Sequence, residues 1–509
     1  MPGGGFSTSK RGAGRKFLPF HVAFSFLIRV FGCQMNLSDS RRLAGLLRRL
    51  GGEELPTDSR RADLFLFVSC AVREKGEERL AGQIRRLRAE NPAAQIFVTG
   101  CSLFRGREEL LKKLPGADGV FFLAEAEEAL RESFAAARLF CGEEGKDFSL
   151  QQGPSPSPSR EGRGSLPTVV SNSPNSKIQN LTIQHPRDLP SSKVLSFLSL
   201  PGAPDSPVRA FLPISSGCDN FCSYCVVPFA RGREVSRPRA EILAEAEGFL
   251  KQGIPELFLL GQNVNSWRDA AGGFPSLLRD LAELAPERKW WLRFASSHPK
   301  DFSPELAEEF AENPRLAPWL HLALQSGSDA VLARMNRKYS LADFRARLAE
   351  LKKRAPGVAF STDAIVGFPG ETEEDFQKTL VAFRELLPAF SFPAQFSSRP
   401  GTAAAELADS VPPAEKKRRW EELTALQKEI SREELAKLKN AEIEILVERV
   451  GVEKDSGRRF AEGRTARMES ARLFLPSSSE REVAPGEFLR GRVKKTRSWA
   501  VEGEALLGE

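Results

Sequence analysis

Long apolar runs are missing from this chain of 509 residues. No apolar stretch reaches the roughly 18 residues that a membrane-spanning helix needs, so no membrane location is expected. Histidines are only four. Two of them, His298 and His321, are read as hydrogen-bonded structural residues rather than catalytic bases. Cysteines are seven, an odd and unevenly spaced set, which excludes a disulfide scaffold. Charge of neither sign dominates: 74 Lys and Arg against 67 Asp and Glu give +7. That mild excess is compatible with a nucleic-acid partner but does not show one. Hydrophobic residues at 41% are enough for real cores and exclude wholesale disorder. At roughly 150 residues per domain, the length suggests about three domains.

The first residues, 1–21, are rich in Gly, Ser, Lys and Arg and are read as a flexible tail. The apolar run behind them ends in Val30-Phe31-Gly32-Cys33, which also looks like a lipid-attachment box. Arg29 interrupts that run, which favours a buried first strand over a signal. Over 22–146 short apolar runs (24–31, 63–68, 95–99) alternate with helical stretches (40–50, 74–90). Ser38 and Asp39 are expected caps for the first helix. Such alternation implies a parallel sheet covered by helices. Residues 147–207 turn to Ser, Pro and Asn and are read as a linker or disordered insertion. The short apolar run 194–200 is left without assigned structure. From 208 to 438 six strand–helix units follow, with strands at 210–214, 256–260, 291–295, 320–324, 358–365 and 390–396, which suggests a partial (β/α)6 barrel. A charged helix, 414–438, leaves it. Residues 439–509 carry short alternating strands punctuated by Gly and Pro, the pattern of a small β-barrel. The fold class is therefore α/β: a parallel-sheet domain, a partial barrel and a small C-terminal β-barrel.

Three cysteines fall within the word Gly217-Cys218-Asp219-Asn220-Phe221-Cys222-Ser223-Tyr224-Cys225, just after the first expected barrel strand. Three thiolates this close can hold three irons of a [4Fe–4S] cube and leave the fourth iron open. A structural zinc site would need a fourth ligand, and no nearby Cys or His supplies one. A zinc site completed by a distant residue stands as the alternative. Cys33, Cys70 and Cys101 each follow an expected strand. Carboxyl ends of parallel strands share one edge, so these thiols can converge as three ligands for a second cluster. Spacing alone leaves three buried apolar cysteines as an equal alternative. Cys141 has no such setting and is read as a bystander.

The Cys218–Cys222–Cys225 spacing, with aromatic Tyr224 before the third cysteine, resembles the signature of the radical S-adenosylmethionine superfamily. The resemblance implies that the open iron binds S-adenosylmethionine. An injected electron then yields methionine and a deoxyadenosyl radical that takes hydrogen from unreactive carbon. Further words resemble the methylthiotransferase family: Gly32-Cys33-Gln34-Met35-Asn36, Ser69-Cys70-Ala71-Val72-Arg73-Glu74, Thr99-Gly100-Cys101, Pro228-Phe229-Ala230-Arg231-Gly232, Gly261-Gln262-Asn263-Val264-Asn265-Ser266, Met335-Asn336-Arg337 and Val366-Gly367-Phe368-Pro369-Gly370-Glu371-Thr372. They occur in the family's order and span nearly the whole chain outside the tail and the Ser/Pro segment. Cys33-Gln34-Met35-Asn36 and Gly261-Gln262-Asn263-Val264-Asn265-Ser266 are similar to the branch acting on tRNA with a prenylated adenosine beside the anticodon. That branch replaces the adenine C2 hydrogen with a methylthio group. The resemblance implies two [4Fe–4S] clusters, with Cys33, Cys70, Cys101 and Cys218, Cys222, Cys225 as their expected ligands, and two molecules of S-adenosylmethionine. Phe229, Phe396 and Trp267 stand where the family usually has tyrosine, in a chain with two tyrosines and 36 phenylalanines.

For S-adenosylmethionine the resemblance points to Tyr224, to Gly261 and Gln262 near the methionine amine, and to Gln325 and Ser326 near the ribose. Gly367 and Pro369 read both as a pocket wall and as an ordinary turn before a helix capped by Thr372. Asp363 is read as a polar strand residue. The C-terminal segment resembles the TRAM domain, a small RNA-binding module. There Arg490, Arg492 and Lys494 share one face of a strand and are expected to contact phosphates. A charge-guarded edge strand is the alternative. Expected partners are the tRNA anticodon stem-loop, an electron-donor protein and a sulfur donor, for a cytoplasmic monomer. A ribosomal-protein substrate, or a non-catalytic iron–sulfur protein that binds RNA, are the competing functions.

Overall fold

A computed structural model describes residues 24–70, 74–140, 188–476 and 481–506. The expected tail 1–21, Cys141 and residues 147–187 lie outside the described residues.

The first unit is a five-stranded parallel sheet of β1 (Phe24–Phe31), β2 (Gly52–Glu54), β3 (Leu64–Ser69), β4 (Gln95–Gly100) and β5 (Gly119–Val120), in the order β2-β1-β3-β4-β5. The central β3, Leu64 through Ser69, is buried at every position, as a parallel strand covered on both faces must be. Alternate residues serve two cores: Leu64, Leu66 and Val68 meet Leu43 and Leu47 of the first helix, while Phe65 and Phe67 meet Leu80 and Ile84 of the next. Burial of each such side chain contributes about 1.5–3 kcal/mol.

Two local expectations are corrected. The first helix, α1, runs Gln34–Arg49, and its N-cap is Cys33. Asn36 reaches back and accepts the Cys33 N–H at 3.3 Å, so the helix starts before Ser38 and Asp39, which become buried interior residues. The expected linker also contains structure at its end. Ser191–Leu198 is a helix with Val194, Phe197 and Leu198 buried. Phe197 joins the core of the first unit, and Arg42 donates to the Leu200 carbonyl at 2.8 Å. Residues at 194, 197 and 198 form one narrow apolar face, which becomes meaningful only against a preformed sheet.

Six parallel strands build the second unit: Ala210–Pro213, Glu256–Leu260, Trp291–Phe294, Trp319–His321, Ala359–Val366 and Phe390–Gln395. They pair as two three-stranded sheets, joined by a parallel bridge between Ser297 and Leu322. The result is a partial barrel with helices outside. The helix Pro413–Ala436 leads to a closed barrel of Glu442–Val452, Arg459–Thr465, Ser470–Phe474, Phe488–Thr496 and Ala500–Ala505. This barrel sits on the amino-terminal edge of the second unit. Trp291 packs edge-on to Phe488 at 4.8 Å, and buried Arg293 donates to the Thr465 and Ala466 carbonyls at 2.8 and 2.6 Å. Among the described residues no helix is long and apolar enough to cross a membrane.

Candidate cluster and ligand site

The β1, β3 and β4 registers align Phe31 with Ser69 and Ser69 with Gly100. Cys70 and Cys101 each step off that rung by one residue and Cys33 by two, so one sheet edge delivers all three thiols. The rung is tightly built. Gly100 adopts φ +101°, and a Cβ there would lie 2.5 Å from the Ser69 carbonyl oxygen. Asn36 donates to that same carbonyl at 3.4 Å. Burial pushes the Cys101 thiol upward; Arg231 opposes that shift, and the neighbouring Cys33 adds to it. Cys33 and Cys101 are thus electrostatic neighbours.

The second thiol group sits on a loop after Ala210–Pro213. Gly217 has φ +82°, and a Cβ would meet the Arg233 carbonyl oxygen at 2.0 Å, so only glycine fits this turn. Gln262, beyond the next strand, accepts the Gly217 N–H at 2.6 Å. Ser223 N–H donates to the Met335 carbonyl at 3.0 Å, and Asn336 donates to the Phe221 carbonyl at 2.8 Å. The Met335-Asn336-Arg337 word therefore grips the cysteine loop from the far side of the barrel. Burial pushes the Cys218 thiol up to about 11 and the Cys225 thiol up to about 12. Both hold their protons until an electropositive group replaces them.

Each thiol group has one arginine that sequence reading did not single out. Arg337 donates Nη1–H to Cys222 Sγ at 3.3 Å, and Arg231 donates Nε–H to Cys101 Sγ at 3.2 Å. Both are buried. Guanidinium donors on sulfur suit ligands that are anionic when in use. No three His, Cys, Asp or Glu side chains among the described residues close on a single point. A cube does not require that, because each thiolate takes its own iron. All-sulfur donor sets with a cation beside each fit [4Fe–4S] groups.

The segment after the first thiol loop packs against the first unit beside Cys101. The helix Val227–Arg231 begins two residues after Cys225, and its Ala230 packs with Val226, Cys101 and Phe104 in one apolar cluster. Arg231 also pairs with Asp39 of α1 at 2.5 Å. Further out, Arg42 of α1 pairs with Glu245 at 2.8 Å.

The carboxyl ends of four successive barrel strands carry buried polar atoms without a hydrogen-bond partner among the described residues: Ser215 Oγ, Asn263 Oδ1, Ser297 Oγ and Gln325 Oε1. Buried polar atoms in native proteins are nearly always paired; this row leaves hydrogen-bonding capacity open to a polar ligand. Gln325 is held at φ +69°, with its backbone locked to Asp363 and Ile365 by bonds of 2.8 and 2.9 Å. Gly261 lies in the same place, 2.5 Å being all that separates its Cβ position from Ser215 Oγ. The other expected contacts divide. Gln262 spends its carbonyl on Gly217. Ser326 is fully buried, takes the Ser328 N–H at 3.2 Å, and faces Thr379 at 3.4 Å. Gly367, φ +71°, is crowded by the Lys416 side chain, and Thr372 caps the following helix by accepting the Asp375 N–H at 3.1 Å. Pro369 is buried in that turn. Tyr224 packs with Met335, Phe368 and Phe396, and burial raises its phenol well above the usual value.

A cavity of about 910 Å³ occupies the barrel interior. Gln34, the neighbour of Cys33, lines it along with Ser296 and Asp363; Arg464, Arg467 and Trp499 of the C-terminal barrel line it too. Its wall is aromatic: Phe211, Phe258, Trp319 and Phe390. His321, one polar feature of the wall, bonds Ser361 at 2.9 Å and Asp363 at 3.0 Å. Arg490, Arg492 and Lys494 do not line the cavity. They point outward from Phe488–Thr496, and Glu442 pairs with Arg490 at 3.0 Å and Arg492 at 2.6 Å.

The chain matches the Radical SAM superfamily over residues 212–382 and the Uncharacterized protein family UPF0004 over residues 25–122. Its fold is similar to that of the radical S-adenosylmethionine methyltransferase TsrM from Kitasatospora setae, with TM-score 0.51 and 17% identity over 75% of each chain. Curated relatives are nearer. The tRNA-2-methylthio-N(6)-dimethylallyladenosine synthase of Corynebacterium diphtheriae is 35% identical over 91% of this chain and 84% of its own. That of Mycolicibacterium vanbaalenii is 36% identical over 92% and 85%, and that of Mycobacterium leprae 36% over 91% and 84%. With this identity along nearly the full length of both partners, the chain belongs to the tRNA-2-methylthio-N(6)-dimethylallyladenosine synthases, a family of radical S-adenosylmethionine enzymes.

Proposed function

We propose that this tRNA methylthiotransferase uses two [4Fe–4S] clusters, one on Cys218, Cys222 and Cys225 and one on Cys33, Cys70 and Cys101. Its product is a methylthio group on C2 of an N6-isopentenylated adenosine beside the tRNA anticodon. The observation that carries this reading is the packing of the helix that follows the first thiol loop against Cys101, with a buried arginine on one sulfur of each set.

When bound, the clusters and S-adenosylmethionine supply the hydrogen-abstracting radical and the sulfur to be transferred. The residues of the chain do the rest. Gln262 and Asn336 fix the loop that presents the first three thiols. Ser215, Asn263, Ser297 and Gln325 offer unpaired polar atoms to the amino acid and ribose parts of S-adenosylmethionine. The cavity takes the flipped base: its aromatic wall suits a prenyl chain, and Arg464 and Arg467, paired with Glu448 and Glu469 in the free chain, line its rim. Arg490, Arg492 and Lys494 offer phosphate contacts on the outer face of the same barrel. An electron-donor protein and a sulfur donor complete the partners of a cytoplasmic enzyme.

Iron analysis after anaerobic reconstitution tests the two-cluster reading. About eight irons per chain are expected, and about four after replacement of Cys33, Cys70 and Cys101 together by Ala. Four irons in both proteins would reject the second cluster.

A further inference from the structure

We infer that Arg231 is a positioning residue that seats the second cluster and sets its potential, through a guanidinium shared between Cys101 and Asp39. The inference rests on the two-cluster reading above.

Arg231 is only 7% exposed. Its Nε–H points to Cys101 Sγ at 3.2 Å, and its Nη2 donates to Asp39 Oδ2 at 2.5 Å. Both partners belong to the first unit, whereas Arg231 ends a helix that begins two residues after Cys225. One rigid turn thus connects the two sets of thiols. Asp39 is itself buried, and its second oxygen has no partner among the described residues. A buried guanidinium is tolerated when a carboxylate and an anionic sulfur offset its desolvation. Charge and hydrogen bonds at the sulfur ligands are what set the potential of an iron–sulfur group.

Arg337 gives the contrast. Its other bonds go to the Ala323 carbonyl at 2.8 Å and the Tyr339 hydroxyl at 3.1 Å. No carboxylate pairs with it among the described residues. The first thiol set therefore feels a full positive charge and the second a guanidinium largely balanced by Asp39. Loss of the Arg231 charge lowers the potential of the second cluster, and loss of the Asp39 charge raises it. A merely structural clamp would not give opposite signs.

The test uses the full chain with Cys218, Cys222 and Cys225 replaced by Ala, so that only the second set remains. It is reconstituted with iron and sulfide and titrated by redox potential under EPR detection, alone and with Arg231→Gln, Arg231→Lys or Asp39→Asn. The expected result is a downward shift for Arg231→Gln, an upward shift for Asp39→Asn and little change for Arg231→Lys. In the chain with all cysteines, Arg231→Gln is expected to keep deoxyadenosine formation and lose methylthio transfer by about 10–100-fold. Potentials that stay at the parent value, or that move in the same direction for both charge variants, overturn the inference. If Arg231→Gln does not fold, Asp39→Asn carries the test, and the absence of its upward shift overturns it. If the reference chain shows no cluster signal, the two-cluster reading fails first and the inference with it.

Discussion

The side-chain carbonyl of Gln262 accepts the backbone N–H of Gly217 at 2.6 Å, tying the end of one barrel strand to the cysteine loop of its neighbour. An amide of the loop backbone is thereby satisfied by a residue 45 positions away. Gln262→Met keeps the length and removes the acceptor. It is expected to slow deoxyadenosine formation about tenfold, an effect of roughly 1.4 kcal/mol. Chromatographic measurement of deoxyadenosine under reducing conditions reads it. An unchanged rate would mean the loop does not depend on this bond.

The two thiol sets are expected to separate in function. Cys33→Ala should still cleave S-adenosylmethionine yet form no methylthio product. Cys222→Ala should stop cleavage altogether. Parallel assays of deoxyadenosine and modified nucleoside distinguish the two. Product formation by Cys33→Ala would remove the second set from the reaction.

Asp205 gives a pH signature. Burial pushes its carboxyl from 3.8 up to about 6; the Phe211 N–H, Arg41 and Arg209 oppose that shift. The folded chain thus holds this proton to higher pH than the unfolded chain. The stabilising contribution is full below about pH 4 and is lost as pH rises to about 6. Asp205→Asn keeps an acceptor for the Phe211 N–H and removes the dependence. Its stability advantage over the parent should grow across that window by up to about 3 kcal/mol and then level off. Denaturant melts at several pH values measure it, and a flat difference would contradict the assignment.

On the C-terminal barrel, Glu442 already engages Arg490 and Arg492, while no ion pair involves Lys494 among the described residues. Lys494→Ala is therefore expected to flatten the salt dependence of stem-loop binding by nearly one unit of log–log slope. Arg490→Ala should change it less, because it frees Glu442 to pair with Arg492 alone. Equal slopes for parent and Lys494→Ala would place RNA elsewhere on the molecule.

Much of the fold was legible because local signals agreed with the tertiary outcome. The strand Phe488–Thr496 alternates buried and exposed residues along its middle, and Ser340 caps Leu341–Arg354 with a capping box, so pattern and structure coincide. The start of α1 differs from the sequence expectation because Asp39 has the chemistry of a cap, whereas the helix interior uses it to face Arg231 across a domain boundary. The helix Ser191–Leu198 was invisible because its short apolar face has meaning only against the sheet that receives Phe197. In the site, spacing singled out Cys218, Cys222 and Cys225, whereas for Cys33, Cys70 and Cys101 it left two readings even and only the words around them favoured a second set. The arginines beside the sulfurs are not legible in the sequence, since nothing in the linear order shows that Arg231 meets a sulfur 130 residues away. Ser326, expected near the ribose from its place at a strand end, is packed against the helix carrying Thr379, a contact that only the tertiary structure brings about.

The most direct measurement is anaerobic turnover of the reconstituted, reduced chain with S-adenosylmethionine and an isopentenylated anticodon stem-loop, followed by mass spectrometry of the nucleosides. The account predicts a methylthio adduct on the prenylated adenosine, accompanied by deoxyadenosine. Deoxyadenosine without any adduct on that RNA would contradict it.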